Sequence, residues 1–245
     1  MRLEEYQVMY KVEDRLWWYK GMEAITRALI ERFYPRGVAL RILDAGCGTG
    51  AAMGYLADYG VVTGIDYSSD ALRFCLTRGR SRLARGSADV LPFADASFDL
   101  VTSFDVLCVH TVNDVQALSE FRRVLVPGGR VILRLPAYNW LRGAHDRAVD
   151  IARRYTAAQV RAHLEGAGLI AERISYANMW LFPVALFKRF LEPLLPPQRG
   201  SDLSFDPGPF NKLLRMILSS EAHLVAGCSL PFGLTVAAVG RRLET

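Results

Sequence analysis

The chain has few cysteines and no long apolar run, and each shortage argues against a class of protein. Its four cysteines are spread over 245 residues without a CxxC pair. This argues against a zinc ribbon and a dithiol redox motif, so no metal is predicted and the thiols are expected to be reduced and mostly buried. The longest strongly apolar run, residues 179–187, contains Pro183 and ends before Lys188, too short to span a bilayer. The charged N-terminus is not typical of a signal peptide, which predicts a cytoplasmic protein.

Charge of one sign is not concentrated anywhere in the sequence. Thirty basic and 25 acidic residues give a formal net charge of +5. The densest basic segment, residues 73–85, contains Phe74 as its single aromatic residue. A nucleic-acid surface needs a concentrated basic stripe with interleaved aromatic side chains, so nucleic acid is not expected as a partner. The length and the 51% of hydrophobic residues suit one globular domain that needs no disulfides.

Apolar runs and amphipathic segments alternate along most of the chain. The predicted strands are residues 38–43, 61–65, 83–86, 98–103, 130–135, 172–176 and 234–240. The predicted helices are residues 23–34, 51–59, 70–77, 114–124 and 157–167, with Ser68 or Ser69 and Thr156 as helix caps and a tight turn at 127–129. This order is typical of an α/β fold with a doubly wound, mostly parallel sheet.

The alternation breaks before the last strand, where about 57 residues separate the last two predicted strands. We expect one domain over residues 1–245. Its parts are a helical cap (1–37), a cofactor-binding core (38–178), a helical and loop insertion (179–233) and the last strand (234–245). The insertion includes the apolar stretch 180–187, for which four interpretations stay open: a lid over an acceptor pocket, a dimer surface, contact with a membrane surface, and plain core packing.

A glycine-rich loop follows the first predicted strand and opens a helix. In LDAGCGTG, residues 43–50, the glycines allow close backbone approach to a ligand, and the helix start supplies free N–H groups. Asp66 ends the next strand, where a carboxylate can accept hydrogen bonds from both hydroxyls of a ribose or can cap the turn at Ser68. Ala51 stands where a dinucleotide fingerprint has its third glycine, and Asp44 disfavours a pyrophosphate. These features favour a nucleoside ligand that carries positive charge.

Residues 42–136 resemble the class I S-adenosylmethionine-dependent methyltransferases. The matching segments are LDAGCGTG (43–50), GIDYSSDAL (64–72), GSADVLPFADASFDLV (86–101) and RVLVPGGRVIL (123–133). The flanks VEDRLWWY (12–19), PAYNWLRGAHD (136–146) and ARRYT (152–156) are similar to a bacterial subgroup. The resemblance implies a Rossmann-like seven-stranded sheet with an antiparallel last strand and a helical insertion before it. It also implies S-adenosylmethionine as cofactor, S-adenosylhomocysteine as product and a small-molecule or lipid-like acceptor.

The resemblance also implies which residues hold the cofactor. The glycine loop passes against the methionine portion with Asp44 near its ammonium, Asp66 holds the ribose, and Asp89 accepts from the adenine amino group. Phe104 and its neighbours mark where methyl donor and acceptor meet. The predicted cofactor-binding residues are Asp44, Ala45, Gly46, Gly48, Asp66, Tyr67, Ala88, Asp89, Val90, Phe104, Asp105 and Val106. Trp18, in the aromatic run 17–19, is a further candidate with two interpretations: a flap over the cofactor sulfonium, or an anchor of the N-terminal helix on the core.

Three further residues are candidates for catalysis. His145 and Asp146 form a potential His–carboxylate pair after the fifth strand, and His110 follows the fourth. Each has a structural alternative: a polar turn for the pair and a backbone-bonded histidine for His110. Relatives often have an acid where this chain has Cys108.

Two other functions compete with methyl transfer. One is a binding protein that keeps S-adenosylmethionine without transferring the methyl group, and the other is an NAD-dependent oxidoreductase, which the missing third glycine disfavours. A monomer and a homodimer are both compatible with the sequence, as is contact with a membrane surface without stable insertion.

Overall fold

The computed structural model describes residues 3–143, 146–147, 149–191 and 207–244, with the backbone alone for 188–191. Seven strands form one sheet in the order β3-β2-β1-β4-β5-β7-β6. The strands are β1 (Leu40–Ala45), β2 (Gly60–Asp66), β3 (Leu83–Arg85), β4 (Phe98–Phe104), β5 (Leu125–Pro136), β6 (Leu169–Ala177) and β7 (Thr235–Arg242). Neighbours from β3 to β5 are parallel, and β7 is antiparallel to both β5 and β6. The predicted Rossmann-like sheet with its antiparallel last strand is confirmed.

Nine helices accompany these strands in the described part of the chain. They are α1 (Leu3–Val12), α2 (Trp17–Phe33), α3 (Ala51–Leu56), α4 (Ser69–Thr77), α5 (Asp114–Val124), α6 (Ala157–Gly166), α7 (Phe182–Leu191), α8 (Phe210–Ser220) and α9 (Ala222–Gly227). The last three lie between β6 and β7, so the expected helical insertion is present. None of the described helices combines the length and the apolar character that a membrane crossing requires.

Each central strand contains a run of buried apolar residues, because helices cover both faces of the sheet. Ile42, Leu100 and Val131, on three adjacent strands, are fully buried. Such continuous apolar runs are typical of parallel strands in doubly wound folds. The carboxyl ends of β1, β2 and β4 meet at one edge, where ligands bind in open α/β sheets.

Some predicted boundaries are wrong for identifiable reasons. Strand β1 begins at Leu40 and not at Val38, which is 43% exposed. Helix α2 begins at Trp17, six positions before the predicted start. The predicted turn at 127–129 lies inside β5 as a bulge, because Phe98 pairs with Leu125 and Leu100 pairs with Arg130.

The helix caps follow the prediction closely. The Ser68 hydroxyl accepts a hydrogen bond from the Ala71 N–H, and Thr156 forms a reciprocal capping box with Gln159. The expectation of mostly buried thiols is also confirmed, since three of the four cysteines are buried and Cys228 is exposed.

Helix α2 packs against the helices of the insertion. A Cβ atom placed on Gly21 would lie 2.5 Å from the Leu218 side chain, so α2 and α8 approach closely at this glycine. The Trp17 N–H donates to the Asn211 side chain at 2.8 Å, which joins the start of α2 to the start of α8. The insertion is thereby attached to the N-terminal helical region and not only to the last strand.

Candidate functional site

The loop between β1 and α3 folds back over the end of β2. The N–H groups of Gly46 and Cys47 both donate to the Ile65 carbonyl, at 2.8 and 3.0 Å. Gly46 has a φ of +82°, and a Cβ atom there would lie 2.2 Å from a methyl carbon of Val106. Both the backbone conformation and the close contact require glycine, so the loop presents bare backbone at this edge of the sheet.

Asp44 is buried at the end of β1 with one carboxylate oxygen unpaired. Its side chain is 1% exposed, and Oδ1 accepts from the Thr102 hydroxyl at 2.9 Å. Oδ2 has no hydrogen-bond partner among the described residues. Burial raises the pKa of Asp44 to about 6. An unpaired buried carboxylate oxygen is costly, and a bound cationic donor compensates that cost.

Asp66, at the end of β2, braces the loop. Its Oδ2 accepts from the Gly48 N–H and its Oδ1 from the Ser68 N–H, both at 2.9 Å. Burial raises the pKa of Asp66, although these two hydrogen bonds oppose the rise. The turn-capping interpretation of Asp66 is therefore present in the structure, and each oxygen keeps a free lone pair for a ligand hydroxyl. Tyr67 beside it is 69% exposed.

The segment after β3 forms a turn at the same edge. Asp89 Oδ2 accepts from the Asn113 N–H at 3.0 Å, just before α5. Burial favours a higher pKa for Asp89, but hydrogen bonds from Ser87 and Asn113 outweigh it and lower the pKa. Ala88 is buried and Val90 is 64% exposed, so Val90 offers an apolar surface to an approaching ligand.

The end of β4 turns sharply beside the glycine loop. Asp105 has a φ of +59°, which is uncommon for a residue with a side chain, and its N–H donates to the Arg134 carbonyl at 2.9 Å. Burial raises the pKa of Asp105. The turn brings Val106 against Gly46, and the buried Cys108 thiol donates to the Asp105 carbonyl at 3.1 Å. The Cys108 side chain, which stands where relatives often have an acid, thus stabilises the turn and is fully buried.

Helix α1 lies across the glycine loop. A Cβ atom on Gly48 would lie 3.0 Å from the Met9 methyl carbon, and the Thr49 hydroxyl donates to the buried Glu13 carboxylate. Arg78 donates to the same Glu13 oxygen, Oε1, at 2.9 Å. Met9 and Glu13 carry no local sequence signal for this position, because their contacts are with residues far along the chain.

Trp18 and Arg134 meet on the face of the sheet that α2 covers. The Arg134 guanidinium carbon lies 3.9 Å from the centre of the Phe104 ring and 5.8 Å from the Trp18 ring. The rings of Trp18 and Phe104 therefore both lie close to the Arg134 guanidinium. Arg134 itself was not among the predicted site residues, although alternation along β5 could have placed it beside Phe104.

The three catalytic candidates do not form a cluster in the described residues. His145 lies outside them. Asp146 is 1% exposed and accepts from Arg154 at 2.8 Å and from the Gly143 N–H at 2.7 Å. Both its oxygens are therefore engaged in holding this turn, which favours its structural alternative. His110 is exposed in a turn after β4.

Comparison with known proteins shows which proteins this chain is similar to. A family described as a methyltransferase domain matches residues 43–133, from β1 to β5. This range contains the glycine loop, Asp66, Asp89 and the Phe104 turn. Over this range the chain is similar to methyltransferase domains, and S-adenosylmethionine-dependent methyltransferases are among its relatives. The cofactor of such a methyltransferase domain is S-adenosylmethionine.

Two curated relatives from Mycolicibacterium smegmatis show the extent of the similarity. A probable S-adenosylmethionine-dependent methyltransferase is 31% identical over 160 residues, which cover 64% of this chain and 60% of that protein. A fatty-acid O-methyltransferase is 39% identical over 97 residues, covering 36% of this chain and 34% of that enzyme. The chain thus spans between about a third and three fifths of the length of these relatives.

A solved structure extends the likeness of the methyltransferase domain to the whole fold. A Haloferax volcanii protein of the methyltransferase type, solved in complex with the Trm112 methyltransferase activator, superposes with a TM-score of 0.63. The superposition covers 99% of this chain and 95% of that one at 22% identity. At this identity the likeness concerns the fold.

Proposed function

We propose that this protein transfers a methyl group from S-adenosylmethionine to a small-molecule or lipid-like acceptor by in-line displacement. The observation that carries the proposal is the unpaired Oδ2 of buried Asp44 beside a loop of bare backbone. A cationic amino group fits that oxygen, and the bare backbone at Gly46 lets a ligand chain approach closely. A pyrophosphate would instead place negative charge against a carboxylate.

Residues of the loop and of β2 hold the methionyl and ribose portions. Asp44 accepts from the ammonium of the methionyl portion, and the backbone at Ala45, Gly46 and Gly48 passes along it. Asp66 accepts from the ribose hydroxyls with the lone pairs that its two backbone hydrogen bonds leave free. Tyr67, exposed next to Asp66, covers the sugar.

The turn after β3 holds the base. Asp89 accepts from the adenine amino group while it keeps its bond to the Asn113 N–H. Ala88 and Val90 flank the ring, and the 64% exposure of Val90 leaves an apolar side chain for it to cover.

Transfer takes place beside the turn at Phe104, Asp105 and Val106. Bound S-adenosylmethionine supplies an electrophilic methyl group on a sulfonium. The chain aligns the acceptor with that methyl group and excludes water, which is where most of the rate gain in such a displacement arises. Trp18 covers the same edge, and an aromatic ring face is attractive to a cation. His145 and His110 remain the candidates for a base if the acceptor arrives protonated.

An aromatic cluster next to this edge supports a partly apolar acceptor. Tyr138 follows the end of β5 and stacks on Tyr176 at 5.1 Å and on Trp140 at 5.5 Å between ring centres. Phe182 of the insertion packs against both Tyr138 and Phe232, at 6.0 and 5.3 Å. Trp140 is 59% and Phe232 40% exposed, so the cluster presents apolar surface to solvent.

A labelled donor tests the proposal. The protein is incubated with S-adenosylmethionine that carries a trideuterated methyl group. The acceptors are a panel of fatty acids, phenols and amines that are matched to one another in size. Mass spectrometry should show one acceptor class that gains a single trideuteromethyl group, with S-adenosylhomocysteine formed in equal amount. Gly46→Val, whose Cβ atom would lie 2.2 Å from a Val106 methyl carbon and so displace the loop from the turn after β4, should form neither product. If the protein binds the donor but methylates no class, the function is binding without transfer.

A further inference from the structure

Arg134 carries a buried positive charge without a paired anion. Its side chain is 7% exposed, on the fifth strand and under helix α2. Among the described residues its guanidinium donates no hydrogen bond, has no carboxylate within 4.0 Å and leaves its buried Nε unpartnered. Its guanidinium carbon lies over the faces of Phe104 and Trp18, at 3.9 and 5.8 Å from the ring centres.

Such a residue is unusual in a folded protein. Buried charges are normally paired, and buried guanidinium groups normally donate to carboxylates or carbonyls. The aromatic faces of Phe104 and Trp18 stabilise the cation only in part, because neither accepts its N–H bonds. The positive charge of Arg134 lowers the pKa of Asp44 and of Asp105 against the effect of burial, but neither carboxylate forms an ion pair with it. The guanidinium therefore has donors free for a ligand anion.

The strand register places Arg134 on the same face as the unpaired oxygen of Asp44. Asp44 pairs with Thr102 across β1 and β4, and their side chains are hydrogen-bonded. Phe104 lies two residues beyond Thr102, on the same face, and pairs with Arg134 across β4 and β5. Only β4 lies between β1, which carries Asp44, and β5, which carries Arg134. Neighbouring strands are about 4.8 Å apart, and the length of the arginine side chain brings its guanidinium closer to Asp44 than the two backbones are to each other.

An unpaired carboxylate oxygen and an unpaired guanidinium on one face match the two charges of an α-amino acid. We propose that Arg134 binds the α-carboxylate of the methionyl portion of the cofactor while Asp44 binds its ammonium. This inference rests on the proposed function, because it takes the ligand of the loop to be S-adenosylmethionine. Arg134 is thus a binding residue for the donor, and Phe104 and Trp18 fix its guanidinium plane.

Calorimetry with three nucleosides separates the charges. The ligands are S-adenosylhomocysteine, its decarboxylated analogue, which keeps the amine, and 5′-methylthioadenosine, which has neither group. Arg134→Met should weaken S-adenosylhomocysteine about tenfold or more and leave the other two within about twofold, since only the first has the carboxylate. Asp44→Asn should weaken both amine-bearing ligands and spare methylthioadenosine.

Two further variants guard against a purely structural effect. Arg130→Met removes an arginine of the same strand that is paired with Glu172 at 2.6 Å, and it should leave all three affinities unchanged. Arg134→Lys keeps the charge and loses the planar fork, so it should weaken S-adenosylhomocysteine less than Arg134→Met and again spare the other two. If Arg134→Met does not fold, the lysine variant alone carries the comparison.

Several results would overturn the inference. Equal losses for all three nucleosides would make Arg134 structural, and no loss would remove it from the site. Normal S-adenosylhomocysteine affinity with lost binding of a fatty acid would assign the carboxylate to the acceptor and not to the donor. Failure of the unmodified protein to bind S-adenosylhomocysteine is a distinct result that contradicts the proposed function itself.

Discussion

At the scale of single residues, the site depends on a carboxyl group whose ionisation its surroundings oppose. Asp44 is buried, and only Thr102 donates to it among the described side chains. With a pKa of about 6, Asp44 is ionised at neutral pH, but a fall of one pH unit is enough to protonate a large fraction of it. Binding of an ammonium group favours the ionised form and therefore lowers this pKa in the complex.

Cofactor affinity should accordingly fall in mild acid. Because burial raises the pKa of Asp44 to about 6, this carboxyl group in the free protein is mostly ionised above pH 6 and mostly protonated below it. The affinity for S-adenosylhomocysteine should be level above about pH 7 and roughly tenfold weaker at pH 5, since the ligand then competes with a proton. Calorimetry between about pH 5 and pH 7 measures this change in affinity.

Two controls assign the pH effect to this residue. Asp44→Asn should bind weakly at every pH with a much flatter profile. Methylthioadenosine, which lacks the ammonium, should also show a flat profile with the unmodified protein. A steep profile in Asp44→Asn would place the titrating group elsewhere.

Local rules identified the candidate residues whose positions depend on one loop or on the end of one strand. Gly46 and Asp44 follow from the motif and its position between a strand and a helix. Arg134 was missed because an arginine is ordinarily expected to face solvent. Its burial depends on α2, which packs over it and comes from a distant part of the sequence. His145 stays a prediction.

At the scale of elements, helix α1 is held over the glycine loop by a few polar contacts. Arg78, just after α4, donates to the Tyr10 carbonyl at 3.2 Å and pairs with Glu13 and Asp14 at 2.9 and 2.7 Å. Its guanidinium also lies 4.5 Å from the Tyr10 ring centre. Desolvation raises the pKa of Glu13 to about 7 despite these contacts. We infer that α1 opens more readily than the sheet unfolds.

Loss of Arg78 should therefore loosen α1 without unfolding the core. Arg78→Met should increase amide hydrogen exchange in residues 3–15 and speed the dissociation of S-adenosylhomocysteine, because Met9 no longer stays on Gly48. Arg73→Met is the matched control: Arg73 lies in α4, is exposed and, within the described part of the chain, pairs only with Asp70. Equal dissociation rates in the two variants would show that α1 does not cover the ligand.

Elements with strong local signals were predicted almost to the residue. Helix α5 begins after Asn113, whose side chain accepts from the Gln116 N–H, and its predicted bounds are confirmed. In contrast, residues 1–37 were predicted as a helical cap with a helix from residue 23 alone. Helix α1 and the first turns of α2 have mixed polarity, so packing decides their structure more than local pattern does.

At the scale of the whole molecule, α2 joins the sheet to the C-terminal insertion. Its buried residues Ile25 and Leu29 belong to the core, and Gly21 faces Leu218 of α8. The sequence predicted helices in the insertion but not what they pack against, since contacts over nearly two hundred residues leave no local pattern. The interpretations of stretch 180–187 as lid, dimer surface or membrane contact remain proposals.

Gly21→Ala tests this junction. In a helix interior the change from glycine to alanine ordinarily adds about 1 kcal/mol of stability. Here the new Cβ atom would lie 2.5 Å from Leu218, and overpacking of this kind costs about 1–3 kcal/mol. We expect a net loss of about 1 kcal/mol in the free energy of unfolding, measured with urea. Gly166→Ala, at the end of α6 with open space around it, should be neutral or stabilising.

The most direct test of the account is a crystal structure of the protein with saturating S-adenosylhomocysteine. The account predicts the amino group of the ligand within hydrogen-bond distance of Asp44 Oδ2, its carboxylate on Arg134 and its ribose on Asp66. An empty glycine loop under these conditions, or a pyrophosphate bound there in its place, would contradict it.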